Sequence, residues 1–337
     1  MGDGMKRVLI IGSGGIGRRH LRGYAATGRA SLSIVEPHAE RRAEAEAMFA
    51  IEASYPSIDD ADLTAFDLAV ICAPAHLHVP LMQKCAEAGL AFMVEKPLAV
   101  TMDGVDAAIA AVKASGVLAR VGYIRRIAPE LLALRDGIAQ GKIGDLLLAY
   151  CNASQEFPKY RPDFQRTYYA RPEMGGGAIL DAASHTFDML IWLMGRPVAV
   201  GAMYDRLVLE GTETEDTCLV NICFESGAMA NVTINQFQKP NISRAEFIGT
   251  KGNLTLNHSI LSFADDDSGQ DRERHDYMDG LVPTEAHQAR FTIQANAMLD
   301  ALEGKPCHLA TLDEARLNLM VALGAKRSWT ERTIVSL

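Results

Sequence analysis

The chain has 337 residues, of which 48% are hydrophobic and 22% are charged, and its formal net charge is −9. This composition is typical of a globular protein long enough for two domains. The acidic balance and the lack of a Lys/Arg-rich run argue against nucleic acid as a partner, and no stretch of roughly 18 apolar residues predicts a membrane span.

The cysteine pattern and the N-terminus bear on the compartment. No C-x-x-C pair occurs, which favours reduced thiols over disulfides or zinc. The first apolar run is too short for the core of a signal peptide. We therefore expect a cytoplasmic protein with no metal site. The six cysteines are Cys72, Cys85, Cys151, Cys218, Cys223 and Cys307.

The first predicted strand, Val8–Ile11, ends in a glycine-rich turn and is followed by a helix-like segment. A G-x-G-x-x-G pattern between strand and helix predicts a dinucleotide-binding turn. Gly12 permits the tight turn, Gly14 leaves room for a pyrophosphate, and Gly17 lets helix and strand pack closely. Free N–H groups at the helix start would bind the phosphates. The predicted cofactor residues here are Gly12, Ser13, Gly14, Gly15, Ile16 and Gly17.

The second predicted strand, 31–35, ends at Glu36. An acidic residue about 20 positions beyond the glycine turn binds the ribose hydroxyls of the adenosine. Arg41 and Arg42 follow, where a 2′-phosphate would meet them, but Glu36 would repel that phosphate. The sequence therefore favours NAD over NADP.

Three further apolar runs, at 68–72, 91–94 and 118–121, alternate with helical patterns. This alternation predicts βαβ units and a parallel sheet, and we place a Rossmann domain at residues 1–122. Ala73, Pro74 and His78 follow the first of these runs and are predicted to lie beside the cofactor, because ligands bind at the carboxyl ends of such strands. Helix capping or loop packing is the alternative role for His78.

The tripeptide Glu95-Lys96-Pro97 directly follows the run at 91–94. Its position predicts that Glu95 and Lys96 lie near the nicotinamide end of the cofactor. A lysine there would hydrogen-bond the reacting hydroxyl and stabilise developing alkoxide charge. Pro97 would fix the turn, with a cis bond as one way of doing so.

The pattern changes after Gly122 and predicts a second domain at residues 123–337. Helical patterns occupy 129–140, 178–194, 284–303 and 312–329, and strand patterns occupy 145–154, 198–207, 217–224, 228–235, 245–248 and 254–256. Successive strands with tight turns predict a largely antiparallel sheet. A polar run at 265–275 is predicted to be a solvated loop.

The predicted helix at 178–194 carries Asp181 and His185, four residues apart and so on one face, with Asp188 one turn beyond. An imidazole oriented by a carboxylate can remove a hydroxyl proton. A helix-surface pair without a role in chemistry is the alternative. The long loop at 155–175 holds candidates for either substrate contact or ordinary packing, namely Tyr160, Arg161, Tyr168 and Tyr169.

These motifs together resemble the Gfo/Idh/MocA oxidoreductase family, typified by glucose–fructose oxidoreductase and inositol dehydrogenase. The resemblance extends over essentially the whole chain and includes Phe247–Gly252. It implies a Rossmann domain plus an α/β domain with an open, mainly antiparallel sheet, and a homodimer or homotetramer. It also implies that Lys96, Asp181 and His185 are catalytic. Arg125 begins a partial match to the family's Arg-rich segment, in which Ile127 replaces an aromatic residue.

We therefore expect NAD-dependent hydride transfer from a secondary hydroxyl, and the resemblance supplies the sugar or polyol class of substrate. His185 would take the hydroxyl proton, Asp181 would orient it, and Lys96 would hold the substrate oxygen. Two alternatives are an NAD-dependent glycoside hydrolase of the same fold and a non-catalytic NAD-binding sensor.

Overall fold

The computed structural model describes residues 4–265 and 270–337, and contacts divide the chain into two units. The N-terminal unit runs to Ile127 and also includes Leu281–Asp313; the C-terminal unit comprises Ala128–Gly280 and Glu314–Leu337. The predicted boundary at 122 thus lies close to the observed one. The segment 281–313, which the sequence pattern places in the second domain, instead packs within the N-terminal unit.

The described part of the N-terminal unit contains a six-stranded parallel sheet in the order β3-β2-β1-β4-β5-β6, the doubly wound order of dinucleotide-binding folds. The strands are β1 Lys6–Ile11, β2 Ala30–Val35, β3 Ile51–Tyr55, β4 Leu68–Ile71, β5 Phe92–Val94 and β6 Ala119–Val121. The first four helices are α1 Gly15–Thr27, α2 Ala39–Met48, α3 His78–Glu87 and α4 Val105–Ser115. Strand β3 was not predicted.

The strands of this sheet are continuous apolar runs because both faces are covered. Leu9, Ile10 and Val70, for example, have no exposed surface. The later helix α8, Pro283–Leu302, packs against α1, where a Cβ on Gly23 would lie 2.7 Å from the backbone oxygen of Phe291. Glycine at that position allows two backbones to approach closely, so α8 completes the core of the N-terminal unit.

The C-terminal unit has, in its described residues, a nine-stranded sheet ordered β14-β13-β12-β11-β7-β10-β9-β8-β15. All neighbouring pairs are antiparallel except β7 and β10, which confirms the predicted mainly antiparallel sheet. The strands are β7 Leu146–Asn152, β8 Pro197–Asp205, β9 Thr217–Phe224, β10 Met229–Asn235, β11 Arg244–Gly249, β12 Asn253–Asn257, β13 Ile260–Ala264, β14 Glu273–Asp276 and β15 Val335–Ser336.

The helices of the C-terminal unit are α5 Pro129–Ala139, the short α6 Phe157–Tyr160, α7 Ser184–Met194 and α9 Leu312–Glu331, whose first two residues fall in the N-terminal unit. The predicted helix at 178–194 starts as a π-helical turn, Ala178–Ala183, which packs on β9 and β10. The predicted loop at 155–175 contains α6 and three short 3₁₀ turns. Residues 266–269 of the predicted solvated loop lie outside the described residues, and 273–276 form β14.

Among the described residues, no helix combines the length and apolar character that a membrane crossing requires.

Candidate functional site

The glycine turn in the N-terminal unit combines two tightly packed glycines with two that face open space. A Cβ on Gly17 would lie 1.9 Å from the Gly12 oxygen, and a Cβ on Gly12, where φ is +98°, would lie 2.9 Å from the Cys72 oxygen. At Gly14 and Gly15, in contrast, an added Cβ would meet no atom within 4 Å. Gly12 and Gly17 are therefore required by packing, while the other two glycines leave open space at the start of α1. Among the residues that the structure describes, no side chain caps this helix, so its first N–H groups are available to an anion.

Glu36 at the end of β2 lies directly against the glycine turn. Its Oε2 accepts hydrogen bonds from the backbone N–H of Ser13 at 2.9 Å and from the Ser13 hydroxyl at 3.2 Å, and its Oε1 accepts one from His38 N–H at 3.1 Å. A carboxylate offers about four acceptor positions, so Oε1 retains capacity for a ribose hydroxyl. The residues present therefore fit the adenosine end of a dinucleotide. Ile16 is partly buried and packs against the core of this unit.

His78 links the loops that follow β4 and β5. The ring is buried, with Nε2 2.9 Å from the Ala73 oxygen and Nδ1 2.9 Å from the Pro97 oxygen. Burial lowers the pKa of His78, against the opposing effect of these carbonyls and of Glu95. A neutral ring carries one N–H and donates to one carbonyl at a time. The geometry thus favours the loop-packing role for His78, holding Ala73 and Pro97 rather than meeting the cofactor itself.

The side chain of Glu95 is hydrogen-bonded to the backbone of Lys96. Its Oε2 accepts the Lys96 N–H at 3.1 Å, and its Oε1 lies 2.7 Å from Nε2 of His20 on α1. His20 is fully buried, Glu95 is 6% exposed, and the Lys96–Pro97 bond is cis. A Cβ on Gly122 would lie 2.9 Å from Glu95 Oε1, so glycine is needed beside this carboxylate. The Glu95 carboxylate thus holds the Lys96 backbone, and it is held in turn by His20, a partner that the sequence analysis missed.

Lys96 and Arg125 follow adjacent strands of the parallel sheet. Lys96 comes two residues after β5, and Arg125 lies in the 3₁₀ turn Ile124–Ile127 after β6. The carboxyl ends of parallel strands share one edge of the sheet, and neighbouring strands are about 4.8 Å apart. Both cationic residues therefore lie at the edge where ligands bind in doubly wound sheets.

In the C-terminal unit, Glu215 fixes the start of the π turn. Its backbone oxygen accepts from Ala178 N–H at 2.8 Å, its Oε1 accepts from Ile179 N–H at 2.9 Å, and its Oε2 lies 3.2 Å from Nζ of Lys326 on α9. Gly177, at φ +96°, has no room for a Cβ, which would lie 2.6 Å from Oε1. The buried Glu215 carboxylate, paired with Lys326, therefore caps this turn and sets its position.

Asp181 lies in the π turn and His185 lies at the start of α7. The backbone oxygen of Asp181 accepts a hydrogen bond from the Ser184 hydroxyl at 3.2 Å. The side-chain amide of Asn318 on α9 donates to the backbone oxygen of Ser184 at 2.7 Å. π-Helical turns are rare and occur frequently at functional sites. Residues four apart across such a turn remain neighbours, so the predicted pairing of Asp181 with His185 is compatible with the structure.

The four candidates in the segment 155–175 have different surroundings. Tyr168 is 45% exposed, and its hydroxyl donates to Asp181 Oδ1 at 2.9 Å. The exposed Tyr160 accepts at its hydroxyl from Asn241 at 2.7 Å, and Arg161 is also exposed. Tyr169 instead is 1% exposed and stacks on Phe157, with ring centroids 4.2 Å apart. Burial raises the pKa of Tyr169 and favours the packing role for this residue. Tyr160 and Arg161 remain candidates for substrate contact, whereas the Tyr168 hydroxyl is already bonded to Asp181.

Within the described ranges, no group of three or more His, Cys, Asp or Glu side chains could hold a metal ion.

Two family models match the chain in succession. Residues 6–123 match the oxidoreductase family model for an NAD-binding Rossmann fold, and residues 131–255 match the C-terminal domain model of the Gfo/Idh/MocA family. The chain belongs to the Gfo/Idh/MocA oxidoreductase family. This membership confirms the predicted family, fold class and NAD cofactor, and it makes the chain an oxidoreductase.

Among curated relatives, the chain is similar to a scyllo-inositol 2-dehydrogenase (NAD(+)) of Bacillus subtilis, 25% identical over 341 residues, covering 96% of this chain and 94% of the relative. It is also similar to the 1,5-anhydro-D-fructose reductase of Ensifer adhaerens, 29% identical over 256 residues, covering 74% and 75%. A solved levoglucosan dehydrogenase in complex with NADH and levoglucosan has a TM-score of 0.85 at 22% identity, covering 98% of this chain and 99% of that one. This structural likeness supports the fold.

Three supporting groups escaped the sequence analysis: His20, the Glu215–Lys326 pair and the Tyr168–Asp181 bond. Only His20 could have been found from the sequence. It lies three residues after Gly17 and so on the same face of α1, the face that packs on the sheet. The partners in the other two pairs are separated by 111 and 13 residues along the chain. No spacing rule connects them.

Proposed function

We propose that this chain catalyses NAD-dependent oxidation of a secondary hydroxyl on a sugar, polyol or related derivative, and the reverse reduction. The observation that carries the proposal is the placement of Lys96 at the carboxyl edge of a Rossmann sheet, on a backbone held by Glu95 and His20. Bound NAD supplies the hydride acceptor. The open turn at Gly14 and Gly15 would hold its pyrophosphate, and Glu36 would accept its adenosine ribose hydroxyl.

The protein groups have separate roles in this proposal. Lys96 donates a hydrogen bond to the substrate oxygen and stabilises the negative charge that develops there. His185 accepts the hydroxyl proton as a neutral imidazole, and Asp181 orients it and stabilises the imidazolium. We infer the substrate class from the curated relatives, whose names give inositol and anhydrofructose as their substrates. Tyr160, Arg161 and Arg125 are the proposed substrate contacts.

A nicotinamide-absorbance screen tests this function. Purified protein is incubated with NAD and a panel of inositols, free sugars, anhydrosugars, sugar acids and nucleotide sugars, and NADH is followed at 340 nm. We expect turnover with members of one stereochemical series, since hydroxyl-specific hydrogen bonds discriminate strongly. Release of free sugar from a glycoside without net NADH would instead support the hydrolase alternative. Binding of NAD with no turnover on any member would support the sensor.

We also propose that the chain is a homo-oligomer through the open face of its nine-stranded sheet. Apolar side chains are exposed there on adjacent strands: Leu219 is 43% exposed, and Met203, opposite it in the β8–β9 register, is 58% exposed. Met229 on β10 is 53% exposed. An apolar surface of this kind on a regular sheet suits a symmetric contact with a second copy.

The double substitution of Leu219 and Met229 by Glu is expected to convert the oligomer into monomers, because it places like charges in the centre of a self-complementary patch. Light scattering coupled to gel filtration measures the mass. Met48→Glu is the control, since Met48 is 45% exposed on α2 of the other unit, and it should leave the mass unchanged. An unchanged oligomer in the double variant would exclude this face as the interface.

A cytoplasmic location is part of the same proposal. It is supported by the cysteines, because no disulfide joins any of the six within the described residues.

A further inference from the structure

The bond from Tyr168 to Asp181 joins a surface segment to the turn that carries the proposed catalytic pair. The Tyr168 hydroxyl donates to Asp181 Oδ1 at 2.9 Å, while 45% of the Tyr168 side chain surface remains exposed. A phenol is a good donor to a carboxylate, and hydrogen bonds to charged groups are stronger than neutral ones. The contact therefore acts on the charge distribution of Asp181 as well as on its position.

The backbone around Tyr168 is held independently of this bond. The Thr167 hydroxyl accepts from Tyr169 N–H at 3.3 Å and caps the short 3₁₀ turn Tyr168–Ala170. Tyr169 is anchored in the apolar cluster with Phe157. A Cβ on Gly176 would lie 2.5 Å from the Tyr168 oxygen, so the following chain also presses against this turn. These contacts fix the backbone from which the Tyr168 side chain reaches Asp181.

One short loop holds both partners of this bond in place. The Thr214 hydroxyl donates to the Tyr169 oxygen at 2.8 Å, and Glu213 N–H donates to the Ala170 oxygen at 3.1 Å. The next residue, Glu215, caps the π turn that contains Asp181. The loop at 213–215 is therefore bonded both to the turn that carries Tyr168 and to the turn that carries Asp181.

We propose that Tyr168 is a positioning residue for the reaction, which holds the Asp181 carboxylate and weakens it as an acceptor for the imidazolium form of His185. The inference rests on the proposed function, in which Asp181 orients His185. A carboxylate that shares its charge with the phenol stabilises the imidazolium less, so more of the base stays neutral at a given pH. Tyr168 thus keeps His185 ready to accept the hydroxyl proton.

Other ionisable groups also act on this turn. Asp188 lies one helical turn beyond His185, Glu215 is paired with Lys326 at the start of the turn, and Tyr169 feels the charges of Asp181 and Glu215. A substitution that removes only the Tyr168 hydroxyl leaves all of them unchanged. Comparison of variants therefore isolates the contribution of the phenol.

The test is a pH titration of the His185 ring, followed by NMR in the absence of substrate. In Tyr168→Phe we expect the titration midpoint to move to higher pH by about half a unit, less than the roughly one to two units that a direct hydrogen bond to a charged group is worth, because the phenol acts on the ring only through the carboxylate. Asp181→Asn should move the midpoint to lower pH, because the imidazolium loses its counter-charge. Adding Tyr168→Phe to Asp181→Asn should then cause no further shift, since the phenol acts through the carboxylate.

Tyr169→Phe is the matched control, because it removes the same atom from the adjacent residue. The Tyr169 hydroxyl has no hydrogen-bond partner in the described part of the protein. This variant should keep the wild-type midpoint, and a thermal unfolding scan checks that both variants are folded. An unchanged midpoint in folded Tyr168→Phe, or an equal shift in Tyr169→Phe, would overturn the inference.

The titration needs no substrate, so its result can be read separately from that of the substrate screen. If the midpoint shifts but the substrate screen finds no turnover, the coupling of Tyr168 to His185 through Asp181 stands, while the dehydrogenase proposal fails and with it the role of Tyr168 in that reaction. If turnover is found and the midpoint does not shift, the dehydrogenase proposal holds and the inference about Tyr168 fails. Where a substrate is known, the acid limb of the kcat/KM profile should shift with the ring titration.

Discussion

Replacing Lys96 by Met is expected to lower kcat by about a hundred- to a thousandfold, the loss seen when a donor to a developing oxyanion is removed. The Met side chain keeps the apolar stem but cannot donate a hydrogen bond or carry charge. The bond that holds this loop to Glu95 is made by the Lys96 backbone N–H, so the substitution leaves it intact. The loss should therefore fall on turnover, while NAD affinity changes by only a few fold. Steady-state kinetics and NAD titration by fluorescence separate the two quantities.

Lys113→Met is the control for this experiment. Lys113 lies on α4 of the same unit and forms an exposed ion pair with Asp313 at 2.7 Å. Exposed pairs contribute little to stability, so this variant should keep wild-type turnover. If Lys96→Met retained more than a tenth of the wild-type kcat, Lys96 would not be the group that stabilises the substrate oxygen.

The sequence was sufficient for the glycine turn and the parallel sheet because their signals are local. Gly12 and Gly17 are required by contacts that recur in every turn of this type, and apolar runs such as Leu68–Ile71 predict strands buried on both faces. The short β3, Ile51–Tyr55, was missed because Glu52 and Ser54 leave it without an apolar run like that of Leu68–Ile71. The local sequence pattern therefore predicts those elements whose conformation and burial are determined by residues close together in the chain.

The grouping of 281–313 with the N-terminal unit could not be read from the sequence in the same way. The pattern shows that α8 is a helix, but not which surface it covers. That choice depends on the close approach of Gly23 to Phe291, two residues far apart along the chain. The residues that hold the proposed site in place could not be predicted for the same reason. His20 contacts Glu95, and Lys326 contacts Glu215, only after the chain has folded.

The second large effect is expected at His185. Replacing it by Gln should lower kcat/KM for alcohol oxidation by about a hundred- to ten-thousandfold, the usual contribution of a positioned general base. Gln preserves hydrogen-bonding capacity but does not titrate. The hydroxyl proton must then pass to solvent, so the residual rate should rise with pH and should not level off near neutrality. A kcat/KM profile between pH 5 and 10 measures both features.

The comparison that decides the role of His185 is with a histidine of similar chemistry elsewhere in the unit. His275 is exposed on β14 and packs edge-on against Tyr277, with ring centroids 4.3 Å apart. His275→Gln should preserve both the rate and the shape of the profile. A profile in His185→Gln that kept the wild-type acid limb would mean that another group accepts the proton. Because Glu215 and Asn318 hold the turn through backbone atoms, the His185 substitution leaves those bonds in place, and a changed profile reports on the imidazole itself.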